Sequence, residues 1–193
     1  MKRKVILVTD GDYFAEKAVE AAAKNICGHV IFKSAGNPSP LTGEAIIRII
    51  LESEKNPVIV MVDDSGHSGL GPGEEVLLDI ARHPEIDVLG VVAVASNSET
   101  EEGAEVTASV TREGKVVNRG VDKHGNPKAD NKVYGDTLSI LNRLDIPIVI
   151  GMGDPGKMND QDDPAKGAPI TTKAFQKILE KSGYSGTESE QDL

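Results

Sequence analysis

Apolar and polar positions change period block by block along this chain. Lys4 to Thr9 is a short aliphatic run that predicts a buried strand, left through the turn Asp10-Gly11-Asp12. Phe14, Ala18, Val19, Ala22 and Ile26 then recur at helical spacing, with Asp12 placed to cap the helix and Gly28 to stop it in a left-handed conformation. His29 to Phe32 predicts a second strand. The loop Ser34-Ala-Gly-Asn-Pro-Ser-Pro40 leads to a helix starting near Pro40 or Gly43, with Ile46, Ile47, Ile50 and Leu51 on one face, and Asn56-Pro57 breaks it. A third strand from Val58 ends at Asp63 and Asp64. It passes through the glycine-rich bend Ser65 to Gly73 into a helix predicted over Glu74 to His83. Ile86 to Ala95 is almost wholly apolar, the mark of a strand covered on both faces.

Four strands alternating with three helices predict an α/β fold with a mainly parallel sheet, because right-handed crossovers place helices on both faces in a three-layer, flavodoxin-like sandwich. The rhythm then breaks. Val106, Ala108 and Val110 alternate with polar residues, Glu113-Gly114 turns the chain, and Lys115 to Asn118 returns, predicting an antiparallel hairpin around residues 105–118. Tyr134-Gly-Asp136 is expected to cap a helix carrying Leu138, Leu141 and Leu144. Pro147 to Ile150 reads as a further strand entering the turn Gly151-Met-Gly-Asp-Pro-Gly-Lys157. Thr171 or Thr172 is expected to cap a last helix with Phe175, Ile178 and Leu179 inward. The expectation is one α/β domain over residues 1–182, followed by an acidic, disordered tail at 183–193.

Composition narrows the function classes. Aromatics are 3% of 193 residues with no Trp, so the core must be aliphatic. Against 31 acidic residues stand 21 basic ones, a net charge of −10 that repels phosphate backbones and argues against nucleic acid as a partner. The one cysteine, Cys27, has no internal disulfide partner and reads as a small buried thiol. Val5 to Val8 is too short for a signal peptide, and no run reaches the roughly 20 apolar residues of a transmembrane segment. The expectation is synthesis and residence on the cytoplasmic side of a membrane.

Candidate chemistry gathers where strands end, since open α/β sheets bind ligands beyond their carboxyl edge. Asp10 leaves strand one, and Asp63 and Asp64 leave strand three. If those strands are neighbours, the three carboxylates converge, repel, and suit a hard cation such as Mg²⁺ or Ca²⁺. Turn formation and helix capping explain the same residues without a metal, so both readings stand; capping is favoured for Asp12 and Asp154. Ser65, Gly66, His67 and Glu74 are the candidate ligand or partner loop. No Gly-Lys-Ser/Thr follows the glycines, no lysine occurs between Lys55 and Lys115, and Glu74 and Glu75 occupy the helix start where a phosphate would sit. No catalytic residue is identified: Ser65 lacks the partners of a nucleophile.

Two resemblances follow. Asp10-Gly11 after the first strand and Asp63-Asp64-Ser65 after the third resemble the Toprim domain, which places Glu-Gly and Asp-x-Asp there to hold Mg²⁺; here a serine takes the place of the spaced second acid. The closer one is to the stage V sporulation protein AE family. It is carried by Val8-Thr-Asp-Gly-Asp12, Ser34-Ala-Gly-Asn-Pro38, Asp63-Asp-Ser-Gly66, Gly90-Val-Val-Ala-Val-Ala-Ser-Asn97, Gly120-Val-Asp-Lys123, Tyr134-Gly-Asp136 and Gly153-Asp-Pro-Gly-Lys-Met158. That resemblance implies a Toprim-like domain and an accessory role in sporulation, beside the system that takes dipicolinic acid, as calcium dipicolinate, into the spore. The other stage V channel proteins, membrane and soluble, are then the expected partners; the expected mode of action is binding, with an acidic edge suited to Ca²⁺ alone or as its dipicolinate chelate. The resemblance places the chain in a sporulating bacterium, soluble or peripheral to the spore inner membrane. The alternative is a Mg²⁺-dependent phosphotransfer or hydrolytic enzyme using Asp10, Asp63 and Asp64.

Overall fold

The computed structural model describes residues 1–66, 70–96, 102–135 and 137–185. In chain order these give β1 (Arg3–Val8), α1 (Tyr13–Asn25), β2 (His29–Val30), α2 (Gly43–Glu52), β3 (Val58–Met61), α3 (Pro72–Arg82) and β4 (Ile86–Val94). There follow β5 (Ala104–Glu105), β6 (Ala108–Val110), β7 (Val116–Val117), β8 (Lys132–Val133), β9 (Val149–Met152) and α4 (Pro169–Ser182). The main sheet runs β2-β3-β1-β4-β9-β6-β7, parallel except for the β6–β7 pair, and β5 and β8 form a separate antiparallel pair. The α/β class and the mainly parallel sheet are therefore as expected from the hydrophobic pattern.

β1, β3 and β4 lie at the centre because both of their faces are aliphatic. Ile6, Val8, Ile59 and Met61 face a layer containing α1 and α4; Val5, Leu7, Val58 and Val60 face α2 and α3. Leftward crossovers use one face and rightward crossovers the other, as right-handed connections require. The sequence-predicted hairpin is present, with Ser109 opposite Val117 and Val110 opposite Val116. It joins the sheet through parallel pairing of β6 with β9.

Several local expectations change. Left-handed geometry past α1 falls on Cys27 (φ 55), not on Gly28, and the Cys27 side chain is exposed instead of buried. Gly28 serves close packing: a Cβ there would meet Ile59 Cδ1 at 2.5 Å. β2 stops at Val30 and gives way to a 3-10 turn over Phe32–Ser34, which leaves Phe32 half exposed. The helix expected after Tyr134 is a 3-10 helix over Ser139–Arg143. Leu138, Leu141 and Leu144 are spaced by three, the 3-10 period, not by 3.6; Asp136, its expected cap, lies outside the described residues. α4 is capped by neither Thr171 nor Thr172 but by Asp162 from the connector. Asp162 accepts the Ile170 and Thr171 N–H groups at 2.7 and 3.0 Å. Gly183 ends α4 in left-handed geometry and Tyr184 packs on the core; the rest of the expected tail, residues 186–193, lies outside the described residues.

Candidate functional site

At the carboxyl edge, five segments meet at one cleft of about 100 Å³, lined by Thr9, Asp10 and Asp12 from the end of β1, Asn37, and Asp63 from the end of β3. Val94 and Ser96 close it from β4, and Asp154 and Lys157 from the turn after β9. β1 sits between β3 and β4, and its following helix α1 covers the opposite face from α3, which follows β3, so the cleft occupies a switch point of the sheet.

Each carboxylate is held by local backbone. Asp63 is buried; its Oδ2 accepts the Gly11 N–H at 3.2 Å and its Oδ1 the Ser65 N–H at 2.8 Å. Its own N–H donates to Ser39 Oγ at 2.9 Å, tying the 34–40 loop to the cleft. A Cβ on Gly11 would overlap the Gly36 carbonyl, which is how Asn37 comes to reach the wall. Asp12 caps α1 by accepting the Ala15 N–H at 2.8 Å, and Asp10 Oδ1 accepts the Asp12 N–H at 3.2 Å. Asp154 accepts the Gly156 N–H at 2.8 Å and forms an ion pair with Lys157. Asp10 bears the cost of this crowding. Burial, then the charges of Asp12, Asp154 and Asp63, push its pKa up to about 8 against the pull of the Asp12 amide, so near neutral pH it keeps its proton.

Asp64 has a different job. Its Oδ1 accepts the Gly73 and Glu74 N–H groups at 2.6 and 3.2 Å, capping α3 from below. Gly71 and Gly73 permit this approach: a Cβ on Gly71 would strike the Asp64 carboxylate, and one on Gly73 would lie 2.7 Å from Asp63 backbone atoms. Asp64 Oδ2 and the Thr137 hydroxyl are both buried without a partner in hydrogen-bond geometry. Burial raises the Asp64 pKa, and the two α3 amides and Thr137 oppose it. The structure thus brings Asp10 and Asp63 together and turns Asp64 away. Glu74 is also buried and accepts the Ser139 hydroxyl at 2.7 Å, while Ser65 (φ 53) and Gly66 (φ 70) are exposed on the bend. His67 lies outside the described residues. Among the described residues, no three His, Cys, Asp or Glu side chains are grouped as a metal-ligand set.

Beside the cleft, sharing Ser96, lies a second cavity of about 320 Å³ formed by the turns around 121–128 and by Tyr134. The two are bolted together: the Asp154 N–H donates to the Lys123 carbonyl at 3.0 Å, and the His124 ring Nδ1 lies 3.0 Å from the Lys157 carbonyl. Sequence reasoning did not place Asp12, Asp154, Ser96 and Lys157 in one site. The available signal was position alone, since each follows a strand; the 121–134 cavity had none. No described helix is long and apolar enough to cross a membrane. No curated protein and no solved structure matches the chain. The family model for stage V sporulation protein AE1 matches residues 4–182, so the chain belongs to that family and has a sporulation-related role.

Proposed function

We propose that this chain acts by binding, as an accessory to the uptake of dipicolinic acid into the spore, and that it takes calcium dipicolinate at its carboxyl edge. The observation that carries the reading is the cleft where Asp10, Asp12, Asp63 and Asp154 meet. Hard carboxylates suit Ca²⁺ or Mg²⁺. The described carboxylates are not grouped as a preformed three-ligand site, which disfavours a bare ion. A chelate brings several of the ion's ligands with it and so asks fewer of the protein. A 1:1 chelate of Ca²⁺ with the dipicolinate dianion is also neutral, which matters for a chain of net charge −10. Asp10 and Asp63 are the proposed metal-facing pair, Asp64 sets the Asp63 turn from under α3, and Ser65, Gly66 and His67 are the proposed partner loop, with the buried Glu74 holding the helix start that follows.

The partners in this reading are the companion stage V channel proteins, with the chain soluble or peripheral to the spore inner membrane. Tyr13, Phe14, Phe32 and Leu70 support protein contact here. They are exposed by 68%, 62%, 49% and 54%, and each leaves or enters an element at the carboxyl edge. The test is thermal unfolding with Ca²⁺, Mg²⁺, dipicolinate and calcium dipicolinate, repeated on Asp63→Asn. At a hundredfold excess over its dissociation constant, calcium dipicolinate should stabilise the chain by about 2.7 kcal/mol, and Asp63→Asn should reduce that gain. Absence of any gain from the chelate sinks the reading.

Lys157 favours one second reading, a Toprim-like, Mg²⁺-dependent phosphotransfer or hydrolytic enzyme. Phosphoryl transfer needs positive charge beyond the metal, and Lys157 brings an ammonium to the wall where Asp10 and Asp63 lie. Ser65 in place of a second spaced acid, and Asp64 engaged at α3, weigh against it. Magnesium-dependent turnover of a phosphorylated substrate, lost in Asp10→Asn, would favour it over the binding role.

A further inference from the structure

β7 ends the main sheet, and no strand among the described residues pairs with its outer edge. On its inner side Ser109 lies opposite Val117 and Val110 opposite Val116, and the Thr111 N–H donates to the Lys115 carbonyl at 2.8 Å. Hydrogen-bonded pairs alternate along an antiparallel ladder, so Val117 turns its N–H and C=O toward β6 while Val116 and Asn118 turn theirs outward. Val116 is also 38% exposed, an apolar β-branched side chain at an open sheet edge. Charge here runs against the rest of the molecule. From Arg112 to Lys132 there are six basic and three acidic residues, in a chain of net charge −10. Strand alternation puts Lys115, Val117 and Arg119 on one face. Lys115 and Arg119 are exposed, and neither joins an ion pair among the described residues. Beside them runs a groove of about 330 Å³, lined by Val117, Asn118, Arg119 and Pro127.

We infer that the β7 edge binds an extended acidic segment of another protein, which adds antiparallel to β7 and lengthens the sheet by one strand. The incoming backbone meets the outward groups of Val116 and Asn118. Two of its carboxylates, four positions apart, lie against Lys115 and Arg119, and the aliphatic residue midway between them sits by Val117 and Pro127 in the groove. Main-chain bonding supplies affinity for any strand; the two cations and the groove supply the choice. The same cations exclude a second copy of this chain. Pairing two β7 edges about Val117, the register with most overlap, sets Lys115 of one copy against Arg119 of the other. An anionic lipid surface has no use for an open strand edge and repels a chain of net charge −10. The surface shares no residue with the acidic cleft, so the inference needs no metal and is independent of the chelate.

The experiment is fluorescence-polarisation titration of the full chain with the dye-labelled peptide Thr-Glu-Thr-Val-Thr-Glu-Thr, with amide hydrogen exchange followed at Val116 and Asn118. The peptide should bind and slow exchange at both amides about tenfold. A peptide with Lys in place of both Glu, and one with Pro on each side of the Val, should bind at least tenfold more weakly. Lys115→Met with Arg119→Met should weaken binding tenfold or more. Asn118→Pro should do the same by removing one outward N–H, and both variants should keep an unfolding temperature near that of the parent. The inference is overturned by no binding at about 2 mM peptide, by equal binding of the proline peptide, by unaltered affinity in the folded double variant, or by binding to phosphatidylglycerol vesicles that the double variant loses while it keeps the peptide. It is also overturned if sedimentation shows a dimer that Asn118→Pro abolishes. So too if both amides are protected in the free chain and released by Glu188→Gln with Glu190→Gln and Asp192→Asn, which would give the edge to the chain's own tail.

Discussion

Two neighbouring regions at one sheet edge are built on opposite plans. Asp10, Asp12, Asp63 and Asp154 of the acidic cleft follow directly from parallel strands that pack at the centre of the molecule. Lys123, His124 and Lys128 stand on turns beyond the β6–β7 hairpin and reach the same edge only because Asp154 and Lys157 contact that turn. In the cleft, side chains that face the ligand space also cap helices and join loops. In the basic cavity, the hydrogen bonds that hold the turn come mostly from its backbone and from Asp122. Acidic groups that also hold local backbone face the space on one side of Ser96, and basic groups face it on the other.

Substitutions can break or sharpen that contrast. The largest effect is expected for Gly73→Ala, whose Cβ would press on Asp63 backbone and lift the α3 start away from the Asp64 cap. Overpacking of this kind costs roughly 2–3 kcal/mol, read as a lower urea midpoint with unchanged slope. A neutral result would uncouple the cleft from the fold.

Asp10 comes next, and pH is its measure. Its folded pKa of about 8 lies above the ordinary 3.8, so between those values the folded chain holds a proton that the unfolded chain has released. Stability from this group is greatest below about pH 4, declines as pH rises, and is lost by pH 8, an effect on the order of a few kcal/mol. Asp10→Asn should flatten the decline in urea titrations between pH 5 and 8.5, with the variant the more stable at the alkaline end. A cation entering the cleft must displace the same proton, so chelate affinity should rise with pH over this range. The smallest effect is expected in the basic cavity: Lys128→Met removes a cation–π contact worth about 0.5 kcal/mol and should barely move the unfolding midpoint. A loss as large as that of Gly73→Ala would erase the distinction between the two regions.

Much of the central sheet was legible because periodicity reports burial. β4 reads as a nearly all-apolar run and lies between two strands with both faces covered, and β1 and β3 pair as strands one and three of a doubly wound sheet commonly do. Asp63 and Asp64 show where legibility stops. They are identical neighbours in sequence, and strand alternation sends their side chains opposite ways, one to the cleft and one under α3. Which way each points depends on the sheet face that α3 covers.

The chain by itself determined the alternation of strands and helices, the hairpin at 105–118, the acidity of the carboxyl edge and its family, since all of these reside in local pattern and residue type. Tertiary structure alone decided that Lys157 enters an acidic cleft, that Asp162 caps a helix beginning seven positions later, and that a basic cavity adjoins the carboxylates across Ser96. Those pairings join residues whose sequence separation carries no periodic signal, and packing of β9 between β4 and β6 is what brings them within reach.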